Sequence, residues 1–255
     1  MWRWGSIDGK CLSLLLLVGG GMCPVWAQNT VSEQYLLAAA NQDRVERGLG
    51  PVRFDPLLAE VALTHAREMA ARGTISHQFA GEPDLAARAG AAGVRFSLIT
   101  ENVAEASNSA LIHDLWMHSA GHRANLLDPH VDSVGIAVVA LRGQLYAVED
   151  FIHSVRHLEP TEQEAVVAGV VAQSGVRVLG DSADARGTCR LETGYVGRRQ
   201  PWFVMRYTGS DLTRLPEELA AKLRSGKYRE AAVGACASGK ETPFTSYNIA
   251  VLLYP

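Results

Sequence analysis

The four cysteines of this 255-residue chain are unevenly spread: Cys11 and Cys23 sit near its start, Cys189 and Cys236 in its last third, and none between. More than half of the chain must therefore hold together by packing alone. The first pair lies in a segment with its own logic. Arg3 and Lys10 give it a positive start, Leu12 to Met22 is an apolar run, and Val25-Trp26-Ala27 leads to the polar Gln28. That order is the layout of a secretory signal, and the run is shorter than the roughly 20 residues that span a bilayer. Residues 1–27 are predicted to be removed, leaving a mature chain that starts at Gln28; a retained anchor is the alternative. No later stretch is apolar enough to cross a membrane. The expected location is secreted or periplasmic/extracellular, an oxidising setting in which Cys189 and Cys236 read as one disulfide. Two buried free thiols are the alternative. Closing that loop stabilises by about 4 kcal/mol in the chain-entropy model.

The remaining length suits one large core, or a domain of ordinary size with a smaller one. A formal charge of −3, from 24 basic and 27 acidic residues, offers no electrostatic reason to bind nucleic acid or an anionic membrane.

Helical periodicity marks residues 31–47, where Leu36, Leu37, Ala40 and Val45 form an apolar face that Gly48 ends. A second helix spans 56–72, with Asp55 as N-cap, Pro56 at its first position and Gly73 beyond its end. Leu57, Leu58, Val61, Ala62, His65 and Met69 line its apolar face. A short helix is predicted over 84–92, and another, capped by Ser107 or Ser109, through Leu111, Leu115 and Trp116. Val134–Leu141 and Leu145–Ile152 are β-rich runs around a hairpin signal at Arg142-Gly143-Gln144, with a weaker strand over 94–99. The chain turns polar at 157–161, which places a boundary there. Beyond it come a helix over 162–173, a loop at 180–187, a helix opened by Pro216, and strands at 202–208, 229–237 and 247–254. No internal repeat is visible.

Three stretches stand out for chemistry: Ser76-His77, Glu101-Asn102, and Trp116 to Asn125. Singly each has a bland reading. Glu101-Asn102 reads as a turn pair, and His65 as a satisfied core histidine. Asn41 and Arg44, one helical turn apart, suit hydrogen bonds to neighbouring loops, and Trp116 a core anchor. His118 and His122 have the spacing of helical zinc ligands, but Ser119-Ala120-Gly121 between them supplies no glutamate base.

Taken together and in order, the chain resembles bacterial members of the CAP superfamily, whose SCP-like extracellular domain also occurs in cysteine-rich secretory, antigen 5 and pathogenesis-related proteins. The resemblance rests on Asn41-Gln42-Asp43-Arg44, Gly48 to Pro51, Asp55-Pro56, His65-Ala66 with Met69, Ser76-His77, Leu85 with Arg88, Gly93, Glu101 to Ala104, Trp116 to Leu127, Gly135-Ile136 and Phe151. It implies an α+β fold, a three-layer α-β-α sandwich over residues 28–156, followed by a smaller α+β region of no recognised family over 160–255. It also implies a cavity lined by two histidines and two acids. Position by position these become His77, Glu101 and His122, with Ser119 where the second acid belongs.

His77 and His122 would then be metal ligands for zinc or another divalent ion, with Glu101 as a third ligand or an orienting partner; equally, the three could tie loops to the sheet. The expected function is a secreted binding or interaction module with a lipid-like or protein ligand. A metal-dependent hydrolase or peptidase and a structural protein of the cell envelope are the alternatives. Neither His-Glu-x-x-His nor Gly-x-Ser-x-Gly occurs, and no nucleophile with a base stands out.

Overall fold

A computed structural model describes residues 30–237 and 242–255. The predicted signal therefore lies outside the described residues.

The chain opens with α1 (Val31–Glu46), closed at its start by a capping box between Thr30 and Glu33. Its buried face is Leu36, Ala40 and Arg44, whereas Val45 is 58 % exposed. The expected apolar position thus belongs to an arginine, because four carbonyls wait there. Arg44 donates to Gly50, Leu126, Asp128 and Val131 at 2.8–3.2 Å and fastens two loops to the helix. Asn41 does the same for Val52, bonding its carbonyl and its N–H.

β1 (Arg53–Phe54) leads into α2 (Pro56–Arg72). Asp55 caps α2 by accepting from the N–H groups of Leu57 and Leu58, and Gly73 ends it at φ 65°. Leu57 faces solvent, since the buried stripe starts at Leu58. α3 (Leu85–Ala91) precedes β2 (Phe96–Ala106), a strand of 11 residues. Glu101-Asn102 therefore sits in mid-strand rather than in a turn, and the strand runs seven residues past its expected end. Asn108 caps α4 (Ser109–His118) in place of the two serines beside it. α5 (Ala120–Leu126), β3 (Ser133–Leu141) and β4 (Gln144–Ser154) complete this half. The β3–β4 hairpin turns on Arg142 (φ 51°) and Gly143 (φ 81°), whose paired positive φ matches the twist of the strands.

The strand order is β1-β3-β4-β2, with β1 parallel to β3 and the other pairs antiparallel. One face of the sheet packs on α2, with Val103, Ala137 and Val148 against Ala62, Ala66 and Met69. The other packs on α1, α4 and α5 around Trp116, Leu36, Ile136 and Phe151. Gly135 lets α2 approach closely: a Cβ there would lie 2.4 Å from the Leu58 carbonyl carbon.

The C-terminal half contains α6 (Pro160–Ala172), β5 (Arg177–Val178), α7 (Ala183–Cys189), β6 (Phe203–Gly209), α8 (Glu217–Arg224), β7 (Glu230–Cys236) and β8 (Tyr247–Tyr254). A helix, α7, thus begins within the expected 180–187 loop. Cys189 at its end is joined to Cys236 at the end of β7. The strand order is β5-β7-β8-β6, with β5 parallel to β7 and the rest antiparallel.

This is the topology of the first sheet repeated. The halves also share a device at the sheet edge. In each, a two-residue strand covers only the start of the hairpin's outer edge. A helix glutamate then takes an uncovered backbone N–H: Glu33 accepts from Val138, and Glu164 from Ala235. Both amides lie five residues beyond the first parallel pair, Arg53–Ser133 and Arg177–Glu230. No repeat shows in the sequence because topology constrains apolar alternation and edge chemistry, not residue identity.

The halves touch through a short strap. Pro243 packs on Gly90 of α3, Phe244 lies edge-on to Phe96 at 5.2 Å, and the Thr245 N–H donates to the Phe96 carbonyl at 2.7 Å. Val155, just past β4, is buried in the C-terminal core.

Candidate functional site

His77 stands in the loop after α2, and buried groups hold that loop. The ring of His65, wholly buried on α2, bonds the Ser76 carbonyl through Nε2 and Glu82 through Nδ1, each at 2.7 Å. The bland reading of His65 thus describes its geometry, and its product is the position of His77. The His77 Nδ1–H donates to Oε1 of Glu101 at 2.9 Å, which leaves Nε2 facing outward on a side chain 60 % exposed. Oε2 of Glu101 accepts from Arg88 of α3 at 2.7 Å. Arg88, one of the residues that carry the family resemblance, also reaches the His77 carbonyl. Both oxygens of Glu101 are therefore engaged.

His122 comes from α5. Its ring lies 6.3 Å from that of His77, centroid to centroid, with the planes tilted by 44°. The Asn102 amide donates to the His122 carbonyl, and Asn125 donates to the Glu101 carbonyl and to Asn102. Two asparagines thus pin α5 to β2, a role that residue type alone did not reveal. Partial burial, and then the nearby His77, lower the pKa of His122, so its neutral ring is favoured.

Three of the four expected residues come together: His77, Glu101 and His122. Ser119 is the hinge between α4 and α5, in extended conformation (φ −89°, ψ 122°), and its hydroxyl makes no capping bond. The break at Ser119 also separates His118 from His122. His118 bonds back to the Asp114 carbonyl at the exposed end of α4.

Glu149 and Asp150, in the middle of β4, escaped the sequence reading. The signal was an adjacent pair of acids inside an apolar run. Neighbours along a strand face opposite ways, so Asp150 lies opposite Glu101 on the α2 face and Glu149 opposite Asn102 on the other. Both are wholly buried, and among the described residues none of their four carboxyl oxygens has a hydrogen-bond partner in ordinary geometry. Burial pushes the Glu149 carboxyl up to about 8, with the Asn102 amide pulling weakly the other way. Burial and the facing Glu101 raise Asp150 well above its ordinary value, against a smaller pull from the Arg88 charge.

A divalent ion would find two imidazoles here and little else. Zinc takes bonds of about 2.0–2.1 Å to nitrogen, and the two rings lie 6.3 Å apart, centroid to centroid. A third ligand is lacking, because Glu101 is committed to His77 and Arg88. Among the described residues, no group of three or more His, Cys, Asp or Glu side chains is placed to hold a metal. The donor set does not fit a closed zinc site.

Residues 37–151 match the model of the Cysteine-rich secretory protein family, CAP. The chain thus carries a CAP region, and that region makes up a little under half of it. Its CAP region is 25% identical over 108 residues to the uncharacterised protein YkwD of Bacillus subtilis, covering 42% of each. It is 30% identical over 125 residues to the uncharacterised membrane protein YlbC of the same organism, covering 48% of this chain and 35% of that one. The match thus spans less than half the length of either relative.

Among solved structures, the CAP region is similar to an SCP-domain extracellular protein of Bacillus anthracis, at 27% identity and TM-score 0.45 over 48% of this chain and 40% of that one. It is also similar to a cysteine-rich secretory protein of Staphylococcus aureus, at 25% identity and TM-score 0.42 over 51% and 41%. No helix among the described residues is long and apolar enough to cross a membrane.

Proposed function

We propose that the CAP region is the binding module of an exported protein, and that it presents the outward Nε2 of His77 beside the His122 ring to a ligand at the surface. One observation carries this reading: Glu101 spends both oxygens on His77 and Arg88. It orients the imidazole and leaves no carboxylate free as a metal ligand or a general base. The hydrolase or peptidase reading needs that free carboxylate. A divalent ion on two imidazoles would be held weakly, as an open position offered to a partner's own donor atom. Lipid-like and protein ligands remain the classes proposed for the neighbouring surface.

The test is calorimetric titration of the mature protein with zinc alone and with lipid vesicles, alongside His77→Ala and His122→Ala. Weak zinc binding lost in both variants, with no peptide or ester hydrolysis, supports the reading. Tight zinc binding that survives Glu101→Gln with hydrolytic activity would sink it.

A further inference from the structure

The two acids of β4 belong to no part of the binding reading, and their surroundings are unusual for carboxyl groups. An ionised carboxylate only accepts hydrogen bonds, and burying one without a partner is among the costliest arrangements a core can contain. Here two lie side by side in β4, one on each face, and among the described residues no donor meets any of the four oxygens with ordinary hydrogen-bond geometry, the Asn102 amide coming nearest to Glu149 in effect.

The charged and titratable groups around Asp150 are mostly committed elsewhere, the Arg88 Nε being the exception. Glu101 faces it across the β2–β4 pair, and Arg88 from α3 spends Nη2 on Glu101. His65 from α2 spends both ring nitrogens on Ser76 and Glu82. Glu82 is taken up by His65, Arg88 and the Phe79 N–H, and His77 bonds the far oxygen of Glu101.

The face of Glu149 is likewise occupied. Asn102 and Asn125 bond each other, and Arg44 from α1 bonds four carbonyls. Glu33 takes the Val138 N–H, His113 from α4 pairs with Asp43, and His122 accepts from Asn102 through its backbone. Among the described residues no cation hydrogen-bonds either acid: Arg88, whose Nε has no partner, draws Asp150 down only through its charge, and burial and Glu101 outweigh it. Two facing carboxylates can share a hydrogen bond only if one of them carries a proton.

We propose that Asp150 is a neutral acid that positions Glu101 by donating its proton to it, and that Glu149 is its neutral counterpart on the opposite face. Glu101 then receives three donors, from His77, Arg88 and Asp150, and its carboxylate is fixed from below as well as from both sides. That fixes the plane of the His77 imidazole, whose side-chain hydrogen bond among the described residues goes to Glu101. Asp150 is a positioning residue that acts through Glu101, wherever the outer ligand comes from. The inference needs no ligand, so its failure would leave the binding reading standing.

The experiment uses the full mature chain with carbon-13 at the carboxyls of Asp and Glu, followed by NMR between pH 5 and 9. Two carboxyl signals should keep the neutral-acid position through pH 7, one missing in Glu149→Gln and the other in Asp150→Asn. Signals that all move with midpoints near 4 would overturn the proposal.

Positioning is read separately from the His77 ring resonances at pH 7. Asp150→Asn, whose amide can donate in place of the acid, should leave them unmoved, whereas Asp150→Leu should shift them. A shift in Asp150→Asn as large as in Asp150→Leu would mean that Asp150 acts as a charge. Should Asp150→Leu not fold, urea unfolding of Glu149→Gln decides. Its folding constant should escape a loss in the parent of up to tenfold per pH unit between about pH 5 and 8. Parallel profiles would count against the buried neutral acid.

Discussion

The two halves of the molecule share a sheet topology and bury opposite kinds of chemistry in it. Counting from the base of each hairpin, Ser133–Ile152 corresponds to Glu230–Tyr254. The pair Glu101–Asp150 then corresponds to Val204–Leu252, and Asn102–Glu149 to Met205–Val251. The C-terminal sheet closes the same frame with apolar side chains at the very positions where the CAP sheet places three acids and an amide. The frame therefore does not require a polar centre, and the sheet topology does not dictate the acids of the CAP half. The bracing differs as well: the C-terminal half is cross-linked, while the CAP half relies on Arg44 and the asparagines.

The sharpest way to break the comparison is to remove the cross-link. Cys189→Ser with Cys236→Ser should destabilise the C-terminal half by about 4 kcal/mol, for a loop of 47 residues. Hydrogen exchange would show protection lost in 160–255 and kept in the CAP sheet; equal loss in both would mean one cooperative unit.

Next in size are the glycines that admit a helix to each sheet. A Cβ on Gly234 would lie 2.2 Å from the Arg186 backbone nitrogen, much as one on Gly135 meets Leu58. Gly135→Ala and Gly234→Ala should each cost about 3 kcal/mol by denaturant unfolding. A cost below about 1 kcal/mol in either would show that its helix can move outward freely.

The halves should also answer pH in opposite senses. Glu149 holds a proton in the fold up to about 8 against an ordinary 4.5, so the stability it contributes falls as pH rises between those values and then levels off. Glu164 goes the other way. Burial alone would raise it, but bonds from Arg186 and the Ala235 N–H outweigh that and leave its pKa lowered. Its contribution is therefore complete above about 4.5 and is lost as pH falls through the lower, folded value. Glu164→Gln should flatten the acid limb of the C-terminal half alone, and Glu149→Gln the alkaline slope of the CAP half alone, measured by exchange at several pH values. The smallest effect is expected at His77: His77→Ala should change stability by less than about 0.5 kcal/mol, because the ring is mostly in water.

The CAP half was legible where local chemistry speaks in a few residues. Asp55-Pro56 marked the start of α2, and Gly48 and Gly73 lie just past the ends of α1 and α2. His77, Glu101 and His122, expected together through the family resemblance, lie close to one another in the structure. What escaped depended on partners distant in the chain. Arg44 displaced Val45 because three of its four acceptors lie 82 to 87 residues on, and Glu101 looked like a turn until its strand neighbours were known. Glu149 and Asp150 were hidden because alternation was broken by acids that need no counter-ion when neutral. In the C-terminal half the strands and α8 were readable from apolar runs and end charges, while α7, rich in small residues, was not.

The strap from Pro243 to Thr245 has a consequence for solubility. β2 is an outer strand of the CAP sheet, and such strands invite pairing with another chain. Thr245 stoppers its first carbonyl and Phe244 shields the Phe96 ring. A chain ending near residue 157 would lose both and expose an open strand end beside a bare aromatic. Such a fragment should associate edge to edge at concentrations where the full chain stays monodisperse.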